Sequence, residues 1–102
     1  MNGKVVFTLD KDGIYTWICK AVEKVSGYKQ EEFIGRSAFD FIHPDDKEDI
    51  QSHFPFQEEE YRESVFRVID KNGDSIQIIS RTIRTPDGAI LGVFDRRKDD
   101  RE

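Results

Sequence analysis

Read for the alternation of apolar and polar positions, the chain changes period twice. Val5–Leu9 is β-branched and aromatic, and it stops at Asp10, Lys11, Asp12 and Gly13. The Asp-Gly step is a tight-turn signal, so residues 14–19 are predicted to return as a second, antiparallel strand. Residues 20–26 then carry Ala21, Val22 and Val25 at helical spacing. Gly27 suits the left-handed residue that closes such a helix. Glu31 and Glu32 open a short second helix, where carboxylates complement the positive end of the dipole, and Gly35 stops it. Phe39, Phe41 and Ile42 are too apolar for a solvated connector and are predicted to be buried. Pro44, with Asp45 and Asp46 behind it, begins a third helix that is predicted to run through Ile50 to Phe54, before Pro55. Beyond Glu58, Glu59 and Glu60 the period returns to two. Tyr61–Ile69, Ser75–Arg84 and residues 89–94 read as strands, separated by turns at Asn72-Gly73 and Asp87-Gly88. The predicted class is α+β: strand, strand, three small helices forming a lid, and a three-stranded meander.

The strands place Phe66 and Val68, Ile76, Ile78 and Ser80, and Ile90 and Phe94 on one side. Their other sides are also apolar: Val65 and Ile69, Ile79 and Ile83, Leu91 and Val93. A sheet with one wet face alternates more cleanly. A second cover is therefore expected, either another copy of the chain or a flanking helix. A homodimer through Ile79, Ile83, Leu91 and Val93 is the expected partner interaction. The charged stretch 95–102, in which Arg96–Asp100 and Lys98–Glu102 could pair, reads as a tail or the start of a linker.

At 102 residues the chain makes one domain. Its net charge of −5, from 21 acidic and 16 basic residues, shows no basic stripe and argues against nucleic acid. No apolar run is long enough for a membrane span, and the N-terminus lacks a signal-peptide layout. The single Cys19 cannot form an internal disulfide, so a cytoplasmic setting is expected.

A set of short motifs then points to a family: Asp12-Gly13, Gly27-Tyr28, Glu31-Glu32-Phe33-Ile34-Gly35-Arg36-Ser37, His43-Pro44-Asp45-Asp46, Arg67, Asn72-Gly73, Asp87-Gly88 and Gly92. In this order and spacing the chain resembles the PAS sensory domain along almost its whole length. The resemblance implies a five-stranded antiparallel sheet in the order 2-1-5-4-3 with small helices on one face. It also implies a signal-transduction role, as a sensor or dimerisation module joined to an output domain such as a histidine kinase or a cyclic-dinucleotide enzyme. The chain departs from the family pattern at Lys29, where a capping Ser or Thr is usual, and at Cys19, Gln77 and residues 99–101.

The chemistry expected of this segment is binding, not catalysis. The flavin branch of the family needs a cysteine where this chain has Ala38, and ring-reading amides at positions matching Val68, Ile78 and Phe94. Haem-binding relatives use a histidine within the stretch matching residues 55–60, which has none. No cofactor is predicted. His43 reads as a helix brace and His53 as an exposed helix-end residue; the scattered histidines and cysteine show no metal-ligand spacing. Asp45 and Asp46 are adjacent and cannot face each other across a helix, so they make no catalytic pair. By alternation and resemblance, the space between sheet and lid is walled by Phe7, Leu9, Phe41, Ile50, Phe54, Phe66, Val68, Ile78, Ser80 and Phe94. Each large apolar side chain gains about 1.5–3 kcal/mol on burial, so a collapsed, filled core is the first expectation. The alternative is a small apolar ligand oriented by the Ser80 hydroxyl.

Overall fold

The computed structural model describes residues 4–54 and 61–97. The expectations placed on residues 55–60 and on the pairings Arg96–Asp100 and Lys98–Glu102 reach outside the described residues. The sheet has five antiparallel strands: β1 (Val5–Leu9), β2 (Tyr15–Ile18), β3 (Tyr61–Ile69), β4 (Ser75–Arg84) and β5 (Ile90–Arg96). Their order is β2-β1-β5-β4-β3, the order expected, so β2 and β3 form the two edges. Val22–Ser26 forms α1 and Pro44–Ser52 forms α2, with tight 3-10 turns at Gln30–Glu32 and Ala38–Phe41 between them.

Local signals account for most boundaries. Gly27 takes φ +81° and donates its N–H to the Glu23 carbonyl, closing α1 as a left-handed cap. His43 Nδ1 accepts from the Asp45 N–H at 3.0 Å and braces the start of α2. Lys29 has no short side-chain acceptor to cap the following turn, but the Glu32 carboxylate accepts from the Lys29 N–H at 2.8 Å and so supplies the other half of a capping box.

Several boundaries differ from the sequence reading. α2 ends at Ser52, not at Phe54, because the His53 and Phe54 N–H groups bond the Ile50 and Gln51 carbonyls three residues back, tightening the last turn. α1 is shorter than residues 20–26. β5 continues through Asp95 and Arg96, which were assigned to the charged tail. The β4 register accounts for this, since it pairs Ile79 with Asp95 and Ile78 with Arg96.

The core lies between the inner face of the sheet and the lid. Val5, Ile18, Val22 and Ile90 are its most deeply buried side chains. Tyr15 and Ile18 both turn inward although an odd spacing puts residues on opposite faces of a regular strand. A register shift opposite Thr8 and Leu9 makes this possible. The lid grips both sheet edges. Tyr15 N–H bonds the Arg36 carbonyl and Gly35 N–H bonds the Tyr15 carbonyl along β2, each at 2.9 Å. At the far edge His43 N–H bonds the Arg67 carbonyl at 2.9 Å, beside a bridge between Ile42 and Val68. Backbone groups that an edge strand would leave open are thus occupied.

Candidate functional site

The inner face of β3 and β4 is built from cross-strand pairs whose character changes along the strands. Val68 faces Ile76 and Phe66 faces Ile78; then Ser64 faces Ser80 and Arg62 faces Thr82. Opposite this surface, α2 and its exit contribute Ile50, His53 and Phe54, and the 3-10 turn contributes Phe39 and Phe41. Aromatic rings meet edge-on along the lid: Tyr15 against Phe33 at 5.4 Å, Tyr28 against Phe41 at 5.5 Å, and Phe39 against Phe54 at 5.3 Å. These contacts fill part of the interior and leave the rest open. A cavity of about 300 Å³ remains between the sheet and the lid.

This corrects the first expectation of a filled core. The inner face of β3 and β4 offers small side chains, Ser64, Ser80 and Thr82, where larger ones would plug the space. Phe41, Ile50, Phe54, Phe66, Val68, Ile78, Ser80 and Phe94 all line the cavity, as do Phe7 and Leu9. Gly92 makes room for the Phe7 ring: a Cβ there would stand 2.4 Å from the ring and 2.8 Å from the Thr82 methyl. The sequence reading missed Arg62, Ser64 and Thr82. Extending the same two-residue alternation from Phe66 and Ser80 toward the far ends of their strands would have found them.

The polar groups divide into two sets. On the cavity wall Ser80 is buried, at 8% exposure. Its hydroxyl and those of Ser64 and Thr82 have no protein hydrogen-bond partner among the described residues. The Tyr15 phenol is also on the wall, and burial raises its pKa, so it stays neutral. His53 Nδ1 lies 2.9 Å from the Asp49 carbonyl oxygen at the α2 exit. The second set belongs to the lid's attachment. Asp46 accepts from Arg67 Nε at 3.0 Å, Nη2 at 2.8 Å and the backbone N–H at 2.8 Å. The side-chain and backbone hydrogen bonds from Arg67 pull the Asp46 carboxyl down to about 2, and the same pair raises Arg67. Asp46 is therefore a fastening between α2 and β3 as well as a helix-start charge.

Cys19 Sγ accepts from the Val6 N–H at 3.3 Å, a packing role at the end of β2. On the outer face of the sheet Ile83 and Leu91 are exposed, whereas Ile79 and Val93 are half-buried. Val6, Trp17, Tyr61 and Val65 extend the exposed apolar residues beyond those four. No helix among the described residues is long and apolar enough to cross a membrane.

An antiparallel sheet with one face under a strap of short helices, and a small cavity between them, defines a compact α+β domain. The family described as PAS fold matches residues 15–93, and the chain belongs to that family. Solved structures agree on the fold. A tryptophan-to-alanine variant of the Drosophila melanogaster Cycle PAS-B domain, with bound glycerol, superposes with a TM-score of 0.81 at 19% identity, over 91% of this chain and 99% of that one. A domain of a Geobacter sulfurreducens sensory box sensor histidine kinase/response regulator gives 0.74 at 22% identity, over 90% and 82%. The N-terminal domain of a Marinobacter aquaeolei diguanylate cyclase with PAS/PAC sensor gives 0.76 at 18% identity, over 91% and 94%.

Proposed function

We propose that this domain is the non-catalytic sensor of a larger signalling protein. In this reading a small molecule in the cavity biases the fit of the lid on the sheet, and the change passes to an output domain such as a histidine kinase or a cyclic-dinucleotide enzyme. The observation that carries the reading is the cavity of about 300 Å³, at the lower end of the volumes that small-molecule sites occupy. Family membership supports the sensor role, and the Geobacter and Marinobacter relatives support the kinds of output named. The glycerol in the Cycle domain supports a small occupant. Neither flavin nor haem belongs to the reading, given Ala38 and the modest volume. The path of the signal follows from the lid's bonds to both edge strands: a ligand that favours one lid position favours one sheet geometry. β5, in the middle of the sheet, then carries that geometry toward the C-terminus.

A thermal-shift screen of small metabolites, with native mass spectrometry of the freshly purified chain, tests this. A concentration-dependent rise in Tm, lost in the cavity-filling variant Ser80→Leu, is the expected result. No shift across the screen and no retained mass would remove the ligand from the reading.

A second reading concerns the outer face. Exposed Val6, Trp17, Val65, Ile83 and Leu91 favour a homodimer in which two sheets pack through these faces, which would let paired sensors act on a dimeric output domain.

A further inference from the structure

If the cavity is a ligand site, its wall also specifies the ligand's chemistry. Val68, Phe66 and Ile78 are apolar, and together with Phe7 and Phe94 they form the apolar part of the wall. Two residues further along each strand the wall becomes Ser64–Ser80 and then Arg62–Thr82. The three hydroxyls there, one of them on the buried Ser80, have hydrogen-bonding capacity to spare for a ligand. A guanidinium has five N–H donors in a planar fork, enough to serve a neighbouring protein group and a ligand carboxylate together. Arg62 therefore makes this end of the wall rich in donors. Asp49, the acidic residue on the wall, is exposed at the α2 side, where solvent screens it.

We propose that the cavity takes a small amphipathic acid. Its aliphatic or aromatic body lies against Phe7, Phe66, Ile78 and Phe94, and its carboxylate is held by Arg62 and the hydroxyls of Ser64, Ser80 and Thr82. This goes further than the sensor reading and rests on it. The reading requires only that some small molecule occupies the cavity, whereas the wall selects one with an acceptor at one end and none at the other.

The test is a pair of probes of equal chain length, octanoate and 1-octanol, titrated calorimetrically into the full chain. Intermolecular NOEs to Ile78 and Phe94 report whether the chain is in the cavity. Octanoate is expected to bind at least about tenfold more tightly than octanol, the range of a charge-assisted hydrogen bond. Arg62→Gln is expected to remove that preference and keep octanol binding, which shows that the cavity of the variant is intact. If Arg62→Gln does not fold, Ser80→Ala with Thr82→Val provides the same comparison, with a smaller loss of preference. Octanol binding as tightly as octanoate overturns the carboxylate assignment and leaves the sensor reading standing. So does a failure of both probes when a metabolite of another class raises the Tm. Failure of both probes and of the whole metabolite screen removes the ligand from both.

Discussion

The two faces of this sheet are apolar in sequence and opposite in circumstance. Ile90 and Leu91 are neighbours on β5; the first is 1% exposed and the second 44%. Inside, the residues pack under a lid that is bonded to both sheet edges. Outside, Val6, Trp17, Val65, Ile83 and Leu91 stay exposed, with no cover from the described residues. Hydrophobicity alone does not make a core. A side chain contributes to folding when the chain itself supplies the opposite wall, and otherwise its contribution waits on association.

The largest predicted effect is on the inner face. Ile90→Ala should cost about 2–5 kcal/mol in chemical denaturation, the range for truncating a packed aliphatic residue, whereas Leu91→Ala should stay within about 0.5 kcal/mol at concentrations where the chain is monomeric. Equal losses at the two positions would mean that the outer face is covered by the chain itself. Next comes the lid's first hinge point. Gly27→Val forces a β-branched residue to φ +81°, with its Cβ 3.3 Å from the Lys71 Cβ, and should cost about 1–3 kcal/mol, read as a lower Tm by circular dichroism.

The fastening of α2 to β3 responds to pH. The Asp46 carboxyl titrates at about 2 when folded, below its ordinary 3.8, so its contribution is present above that ordinary value and fades as the pH falls through 2. Asp46→Asn should lower the Tm at neutral pH and weaken the further fall between pH 4 and pH 2. An unchanged acid slope would assign that slope to other carboxylates. The smallest effect on folding is predicted at the outer face: Ile83→Ser with Leu91→Ser, both at exposed positions, should leave the melt nearly unchanged. Its consequence is expected in sedimentation velocity, as weaker self-association, and an unaltered profile would count against the dimer.

Strand alternation, the Asp-Gly and Asn-Gly turns and the helix punctuation at Gly27 and Pro44 are local features, each set by the conformational preference of a few neighbouring residues. They were legible before any coordinates, as were the two apolar sides of the meander and the apolar residues lining its inner one. Three things depended on residues far apart in the chain. The register shift in β1 and β2 turned both Tyr15 and Ile18 inward. The Asp46–Arg67 pair joined positions 21 residues apart. The packing of the lid on the sheet left about 300 Å³ whose polar end had gone unread. Periodicity says which way a side chain points. Whether the side chains pointing at one another fill the space between them depends on ring angles and strand register, which arise only when the elements pack.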